Sequence, residues 1–306
     1  MARRRKGRPI NGVLLVDKPL GFSSNALLQK VRWLYQAQKA GHTGALDPLA
    51  TGLLPICFGE ATKFTQFLLD ADKRYLTTGL LGIATDTLDA EGQVVATAAV
   101  PDLSAVEIEA VLASRFVGPI EQIPPMYSAL KRDGKKLYEL ARAGVEIELA
   151  ARPVSIFENR LTDWSSPELS IEVQCSKGTY IRTLVADIGV ALGTVAHVKA
   201  LRRTEHGQFN IAQAITLEAL IGLQERNAVD EMDGLLISID QLLVDLPVIQ
   251  LTQDRAKYFS NGNDVQTEHE PGQARVYGPD ETFLGVGQVS DLGRLQPERL
   301  IARQDA

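Results

Sequence analysis

The 306-residue chain has little cysteine and no long apolar run, and both absences restrict what it can be. Its two cysteines, Cys57 and Cys175, stand far apart with no paired spacing, so we interpret them as reduced thiols of a cytoplasmic protein. No apolar stretch approaches the roughly 20 residues that a membrane helix requires. The apolar run that follows the basic N-terminus ends at Asp17, which is too early for a signal peptide. We therefore expect a protein that does not act at a membrane.

The sequence also lacks clusters of histidine or acidic residues with the spacing that holds a metal ion. The chain has 4 histidines, and they are scattered: His42, His197, His206 and His269. The acidic group around Asp89 lacks the spacing and the distal Glu of a calcium loop, so we predict a turn there. The segments SKGT and GVGQVS match neither a Walker loop nor a dinucleotide fingerprint. No metal site and no nucleotide cofactor is predicted.

A net charge of −6 and a pI near 5.4 argue at first against a nucleic-acid partner. The charge is unevenly distributed, however: residues 1–203 carry 25 Lys and Arg against 21 Asp and Glu, whereas residues 204–306 carry 7 against 17. Three basic clusters lie at residues 3–8, 131–136 and 199–203. Each is open to two interpretations, a local patch for a polyanion or an ordinary solvated face.

Helix and strand signals alternate along the first half of the chain. Residues 12–16 predict a strand, and Ser23 or Ser24 predicts the N-cap of a helix that runs to about Tyr35. A second helix is predicted over residues 60–69. Residues 73–100 contain two β-rich runs joined by turn residues 89–92, which predicts an antiparallel pair. Ser104 and Glu107 form a capping box for a helix that ends near Arg115.

The second half is predicted to contain a short helical insertion, further strands and an acidic C-terminal part. The insertion has a helix over residues 135–143 that Gly144 ends. Strands are predicted over 153–162, 169–175 and 197–209, and a helix is predicted to begin near Tyr180. Weak helices are expected at 216–223 and 238–243, followed by short β runs and one further helix after Leu246 and Pro247, where we predict a domain boundary.

One loop, residues 41–55 with the sequence GHTGALDPLATGLLP, holds a single acid, Asp47. Its glycines permit unusual backbone angles, and Pro48 fixes the chain directly after the acid. The surrounding apolar side chains are expected to pack the loop against the protein body, leaving the acid on a dry, rigid surface. From the residues alone, Asp47 is either a turn former or a catalytic carboxylate, and the turn former is the commoner case.

Three motifs in a fixed order resemble those of the bacterial tRNA pseudouridine-55 synthases: GHTGALDP at 41–48, KRY at 73–75 and CSKGTYIRTL at 175–184. The resemblance implies that Asp47 is the catalytic carboxylate and that Arg182 keeps it ionised. It implies that Tyr75 stacks on a flipped uracil and takes the C5 proton, and that Tyr180 is a second aromatic of the pocket. His42 would fill the gap that flipped bases leave. Without the resemblance, these side chains would be interpreted as core aromatics, a surface arginine and a turn histidine.

The same resemblance suggests contacts with RNA outside the pocket. The Lys18–Pro19 pair resembles the first motif of the family, which lies beside the catalytic loop. The candidate RNA contacts are Lys18, Lys63, Lys131, Arg132 and Arg202.

The resemblance implies an α+β fold, in which helices flank a mixed and mainly antiparallel sheet. It divides the chain into a basic arm (1–10), a catalytic domain (11–246) with a thumb insertion (about 123–152), and a small β-barrel domain of the PUA type (247–306).

The implied function is isomerisation of uridine 55 in the T-loop of tRNA to pseudouridine, by a monomer without a cofactor or an obligatory protein partner. Two alternatives remain open at this point. One is a tRNA-folding chaperone in which binding matters more than turnover, and the other is a guide-RNA-dependent relative that works with partner proteins.

Overall fold

The protein has a large mixed sheet flanked by helices, with a smaller C-terminal sheet. The structure is a computed structural model that describes residues 7–302 except 129, 133 and 146, and the side chains of residues 131, 132, 136, 138 and 142 are also outside the description. Residues 1–6 of the predicted basic arm therefore lie outside the described residues. The α+β fold predicted from the sequence is confirmed.

The large sheet takes its strands from residues 12–216. Its strands are β1 (Gly12–Lys18), β2 (Ala40–His42), β3 (Ala50–Phe58), β4 (Lys73–Leu81), β7 (Gly118–Gln122), β10 (Arg152–Ser165), β11 (Glu168–Cys175), β12 (Ala196–His206), β13 (Phe209–Asn210) and β14 (Ile215–Thr216). The order is β14-β1-β3-β12-β4-β11-β10-β7, with β2 paired to β3 and β13 to β12. The pairs β1–β14 and β3–β12 are parallel, and the other pairs in this sheet are antiparallel.

Strand β1 shows why the sheet lies inside the molecule. Its run Val13–Leu14–Leu15–Val16 is buried on both faces. Leu14 and Val16 pack into one apolar cluster with helix side chains, while Val13 and Leu15 pack into another. An uninterrupted apolar run is the pattern of a strand covered on both sides.

The helices are α1 (Ser24–Leu34), α2 (Thr65–Asp70), α3 (Ala105–Arg115), α4 (Leu137–Arg142), α5 (Ile181–Ala191), α6 (Leu217–Glu225), α7 (Val229–Gly234) and α8 (Gln253–Ser260), with short 3-10 helices at Gly59–Lys63, Ile211–Gln213 and Ile239–Leu243. The predicted caps are confirmed: Ser23 Oγ accepts from the Ala26 amide, and Ser104 forms a capping box with Glu107. The predicted helix over 60–69 is divided at Phe64, whose backbone leaves the helical region as its buried ring enters the core. Helix α7 was missed.

The predicted pairing within residues 73–100 is correct only in its second part. Gly82, with φ +86°, ends the long strand β4 in the large sheet. Beyond it, the short strands β5 (Ile83–Thr85) and β6 (Val94–Thr97) form an antiparallel hairpin. The turn of this hairpin carries Asp89 back toward β12, where Ala90 donates to the carbonyl of Val198 at 2.9 Å.

The described part of residues 123–152, the predicted thumb, contains a two-stranded ribbon and one short helix. Strands β8 (Lys131–Arg132) and β9 (Lys135–Lys136) pair in antiparallel fashion, and α4 follows directly. Gly144 takes a positive φ of +72° just after α4. This is the left-handed geometry that ends a helix, as the sequence predicted.

The C-terminal part forms a separate five-stranded sheet in the order β15-β17-β18-β19-β16. Its strands are β15 (Val248–Gln250), β16 (Val265–Gln266), β17 (Gly272–Tyr277), β18 (Phe283–Val289) and β19 (Arg294–Leu300). This part has one apolar core of its own, but Val286 and Phe283 pack instead with Phe64 and Leu242, which precede this part in the chain. No described helix has the length and apolar character needed to cross a membrane.

Candidate active site

The loop that carries Asp47 joins β2 to β3 and is fastened at several backbone positions. Ser24 Oγ accepts from the Leu46 amide at 2.7 Å and donates to the Leu46 carbonyl at 2.9 Å. The carbonyl of Pro48 accepts from the amide of Gly21 at 2.9 Å. Of the apolar loop side chains, Leu46 is buried, while Ala45 is exposed. These bonds hold the acid in a defined place, as the loop composition predicted.

Arg182 lies against Asp47, as the sequence predicted. Its Nε is 3.0 Å from Asp47 Oδ2, and its Nη2 donates to Asp47 Oδ1 at 3.4 Å. The arginine comes from the first turn of α5, directly after the N-cap residue Tyr180. A guanidinium that meets both oxygens of a carboxylate fixes its orientation as well as its charge.

The remaining donors of Arg182 are also occupied, and its side chain is only 5% exposed. Nη1 donates to the Thr87 carbonyl at 2.8 Å, and Nη2 donates to the Tyr127 carbonyl at 2.7 Å. A second carboxylate, Asp89 Oδ2, is 3.7 Å from Nη1. Asp89 was predicted only as a turn residue, and no sequence signal distinguished it, because its approach to Arg182 depends on the β5–β6 hairpin.

The surroundings of Asp47 disfavour the ionised form of its carboxylate, but the side chain remains accessible to solvent. Burial raises the pKa of Asp47, the charge of Arg182 opposes that rise, and Asp89 adds to it. Its side chain is nevertheless 41% exposed because it faces an open pocket, which corrects the expectation of a dry surface. A carboxylate in this setting can reach a bound molecule, provided that Arg182 keeps it ionised.

The pocket above Asp47 has a volume of about 300 Å³ and an apolar wall. It brings together four of the predicted site residues: Asp47, Tyr75, Tyr180 and Arg182. Lys73, Ser128, Leu201 and Arg203 line it as well. Two aromatic rings and an ion pair around a small cavity suit a flat, polar ring such as a nucleobase.

Tyr75 forms part of the pocket wall from near the start of β4 and is 9% exposed. Burial raises the pKa of its hydroxyl, and the guanidinium of Arg203 opposes this effect. Sequence reasoning treated Arg203 only as part of a basic cluster. Its inward orientation depends on the register of β12 against β4, which composition does not reveal.

Tyr180 is held by its backbone rather than by a side-chain cap. Its amide donates to Gln122 Oε1 at 3.0 Å, and its carbonyl accepts from Gln122 Nε2 at 3.3 Å. Gln122 is buried at the end of β7. This two-bond clamp places the ring of Tyr180 at the pocket wall.

His42 lies on β2 opposite Ile56, and it is not among the residues that line the pocket. Burial lowers the pKa of its imidazole, and the charge of Arg203 lowers it further. Its Nδ1 is buried without a hydrogen-bond partner among the described residues. A role for His42 beside flipped bases stays a prediction.

Lys18 is fully buried, which corrects the prediction that it contacts RNA. Its Nζ donates to the carbonyls of Pro19, Phe22 and Pro48 at 3.1, 2.5 and 3.3 Å. Burial lowers the pKa of Lys18 to about 8, against the attraction of Asp47. The ammonium therefore connects the turn after β1 to the loop of Asp47 and does not face solvent.

Lys63 and Arg202 remain partly exposed but already have partners. Lys63 Nζ pairs with Glu60 at 2.5 Å and donates to the Leu300 carbonyl at 2.9 Å. Arg202 meets both oxygens of Asp17, at 3.0 and 2.7 Å. Because Arg203 next to it is buried, the predicted basic cluster at 199–203 does not form one positive surface.

The other two candidate RNA contacts are Lys131 and Arg132. Their backbones form strand β8, and their side chains lie outside the described part of the chain. No group of three or more potential metal ligands occurs among the described residues.

A solved structure described as an H/ACA RNP bound to a substrate RNA containing 2'-deoxyuridine has the same fold. It superposes with a TM-score of 0.74 at 22% sequence identity and covers 100% of this chain and 92% of that chain. At that level of identity the likeness concerns the fold alone. It agrees with the fold expected from the motifs.

Proteins related to this chain by sequence have a higher identity to it than this structure has. A protein named tRNA pseudouridine synthase B from Pseudomonas putida is 52% identical over 300 residues, which cover 97% of this chain and 98% of that protein. A protein of the same name from Nitrosococcus oceani is 51% identical over 304 residues, with 99% and 98% covered.

Three family models cover consecutive parts of the chain. Residues 32–181 match the N-terminal domain of the TruB family pseudouridylate synthases, and residues 182–244 match the tRNA pseudouridylate synthase B C-terminal domain. Residues 247–301 match the model described as pseudouridine synthase II TruB, C-terminal. Together with the full-length relatives, these matches confirm the resemblance that the three motifs indicated: the chain belongs to the TruB family of pseudouridylate synthases.

Proposed function

We propose that this protein is a tRNA pseudouridine synthase, an isomerase that converts uridine 55 of the tRNA T-loop to pseudouridine. The observation that carries the proposal is the Asp47–Arg182 ion pair at a base-sized pocket walled by two tyrosines. Two relatives that are named tRNA pseudouridine synthase B match this chain over nearly their whole length. The pocket provides the groups that such a reaction needs.

The target base must leave the RNA stack before any chemistry can occur on it. Flipping a nucleotide out of a stack costs a few kcal/mol, which contacts in an enclosed pocket offset. Tyr75 and Tyr180 offer faces for stacking, and base–aromatic stacking contributes roughly 1–3 kcal/mol per base. Leu201 adds an apolar wall on the side of β12.

Asp47 then acts on the nucleotide while Arg182 holds it charged and oriented. The reaction breaks the bond between C1' and N1 of uridine, turns the detached uracil and joins C1' to C5. Asp47 acts at the sugar or at the base carbon during this exchange. Tyr75 takes the proton that C5 must lose at the end, because it places a titratable hydroxyl in the same pocket as Asp47.

The division of the chain follows the same proposal. Residues 11–246 form the catalytic domain, the insertion near 123–152 forms a thumb that contacts the RNA stem-loop, and residues 247–306 form a PUA-like module. The arm at residues 1–10 is basic and contacts phosphate. We infer that the protein works on tRNA in the cytoplasm as a monomer without an obligatory protein partner.

The test is conversion of an isolated T-stem-loop by the purified protein alone. Wild-type protein should form pseudouridine, while Asp47→Asn should form none and still bind the RNA. Asp163→Asn, on the exposed part of β10, is the matched control and should match wild type. Wild type that binds the RNA without converting it would favour the chaperone alternative. Conversion that requires added guide RNA and partner proteins would favour the guide-dependent alternative.

A further inference from the structure

Arg203 is a buried guanidinium that lacks a carboxylate partner among the described residues. Its side chain is among the largest fully buried ones, with a relative exposure of 1%. Nε donates to the Leu53 carbonyl at 2.7 Å, and Nη2 donates to the Gly44 carbonyl at 3.2 Å. A buried charge without a counter-charge is costly, so folding alone does not account for an arginine at this position.

The neighbouring arginines of the sheet are arranged differently. Arg74, on the opposite face, forms ion pairs with Glu158 at 2.7 Å and Glu205 at 3.1 Å. Arg202 forms a two-bond pair with Asp17. Arg74 and Arg202 therefore have carboxylate partners, whereas the hydrogen bonds of Arg203 go to two neutral carbonyls. This difference points to an anion that forms beside Arg203 only during the reaction.

The group opposite Arg203 is Tyr75. The two residues are Cα partners in the β4–β12 pairing, and both line the pocket. The charge of the Arg203 guanidinium opposes the rise in the pKa of Tyr75 that burial causes, and Tyr75 in turn opposes the fall in the pKa of Arg203. The other titratable groups that line the pocket with Tyr75 are Lys73, Tyr180, Arg182 and Asp47. Cys175 on β11 and Asp47 on the loop add to the rise in the pKa of Tyr75, and Arg203 is the cation that opposes it.

We propose that Arg203 is a positioning residue that stabilises the phenolate of Tyr75, so that Tyr75 can remove the C5 proton in the last step of the isomerisation. This inference rests on the proposed function and names a residue that neither the motifs nor the family assignment singled out.

The step is balanced without any co-reactant. After C1' joins C5, that carbon carries both the sugar and a hydrogen, and N1 is double-bonded to C6. The phenolate oxygen of Tyr75 takes the hydrogen from C5 as a proton. The pair of the broken C–H bond becomes the C5=C6 double bond, and the former N1=C6 pair moves onto N1, which takes up a proton. The proton on Tyr75 returns to N1 or to water before the next turnover.

The experiment measures single-turnover conversion of a T-stem-loop against pH for wild type, Arg203→Lys and Arg203→Met. Each protein is also given RNA with deuterium at C5 of the target uridine. Without the guanidinium, less Tyr75 is ionised at a given pH. The rate of Arg203→Met should therefore fall on the order of 10²-fold near neutrality and continue to rise at pH values where wild type is level. The deuterium effect should be larger in both variants than in wild type, because proton removal from C5 becomes slower.

Rescue by a more acidic phenol separates this role from a structural one. In the Arg203→Lys and Arg203→Met proteins, 3,5-difluorotyrosine at position 75 should restore the rate by roughly tenfold or more, since its phenolate forms at lower pH. Arg74→Met is the matched control. It also removes an arginine from this sheet, but from the face that does not line the pocket, and it should keep the wild-type deuterium effect and pH profile. Thermal unfolding and RNA binding are measured for each protein, and Arg203→Lys keeps a charge if the methionine variant does not fold.

A lowered rate with an unchanged pH profile, no added deuterium effect and no rescue would overturn the proposal and leave Arg203 a structural residue. Failure of the proposed function gives a different result. In that case Tyr75→Phe would convert uridine at the wild-type rate, or wild type itself would form no pseudouridine. An inactive Tyr75→Phe together with a wild-type pH profile of Arg203→Met would reject the role of Arg203 alone.

Discussion

At the scale of single residues, the properties of the site depend on a few charged groups that lie close together with little contact with solvent. Arg182 is bonded to Asp47, lies 3.7 Å from Asp89 and donates to two carbonyls, so its side chain has no freedom to move. The net result for Asp47 is still a raised pKa, because burial outweighs the opposing charge. Since the proposed function requires the ionised form of Asp47, activity should be lost as pH falls through this raised pKa.

Arg182→Met tests that balance. Without the guanidinium, the pKa of Asp47 should rise further, since an opposite charge at this distance lowers a carboxylate pKa by roughly 1–3 units. The single-turnover rate should fall steeply near neutral pH and recover partly as pH increases. Arg182→Lys should restore only part of the rate, because an ammonium cannot make the two parallel bonds of a guanidinium. A methionine variant with the wild-type rate over the whole pH range would show that Asp47 keeps its charge by other means.

The proposed function gives Tyr75 two roles, a stacking face and an acid–base hydroxyl, and two substitutions separate them. Tyr75→Phe keeps the ring and should lose most turnover while RNA affinity is maintained. Tyr75→Leu should also weaken binding, by about 1–3 kcal/mol, because a stacking surface is removed. Single-turnover kinetics and filter-binding titrations give the two quantities. Equal turnover of wild type and Tyr75→Phe would contradict the acid–base role.

At the scale of elements, the site depends on the place where β3 and β12 run side by side. The parallel pairing puts Gly52 directly opposite Arg203. Gly52 has φ +104°, and a Cβ built on it would lie 2.2 Å from the Arg203 carbonyl oxygen. Glycine is therefore required here for two reasons, its backbone angle and the close approach of the neighbouring strand. Arg203 can lie this close to β3 because residue 52 is a glycine.

Gly52→Ala should consequently reduce both stability and activity. The backbone angle alone costs an L-residue about 1–2 kcal/mol, and the contact with the β12 backbone adds to that cost. Gly222→Ala, inside α6 with no atom within 4 Å of the added Cβ, is the control and should stabilise the protein by roughly 0.5–1 kcal/mol. Denaturant unfolding of the two variants gives the comparison. A Gly52→Ala protein as stable as wild type would mean that the two strands separate at little cost.

The same elements show how far the sequence was informative. The capping signals at Ser23 and Ser104 predicted helix starts correctly, because a cap is a local interaction between residues close in sequence. Asp47 and Arg182 were found through motifs, and their ion pair followed. Asp89 and Arg203 were not found, because each acts through strand pairing with residues far away in the chain. Lys18 was misjudged for a related reason: the sequence shows a lysine in a turn but not the three carbonyls that surround it.

At the scale of the whole molecule, the predicted boundary near residue 246 divides two sheets but not all of the apolar core. The ring of Phe283 lies 5.7 Å from that of Phe64, and fully buried Val286 belongs to the cluster around β1 and β3. Polar bonds cross the same boundary, from Lys63 to the Leu300 carbonyl and from the Ala302 amide to Glu60. We therefore expect the C-terminal sheet to stabilise the catalytic part of the chain.

A pair of valine substitutions measures this coupling within the intact protein. Val286 and Val276 are both fully buried in the C-terminal sheet, but Val286 packs with the catalytic part, and Val276 belongs to the core cluster formed within the C-terminal part. Each valine-to-alanine change should cost about 1.5–3 kcal/mol locally. The two tryptophans of the chain, Trp33 on α1 and Trp164 on β10, both lie before the boundary, so tryptophan fluorescence reports on the catalytic part. Val286→Ala should shift the unfolding midpoint seen by tryptophan fluorescence more than Val276→Ala does. If neither variant shifts that midpoint while far-ultraviolet circular dichroism detects a weakened C-terminal sheet, the two parts unfold independently and residue 246 marks a true boundary in stability.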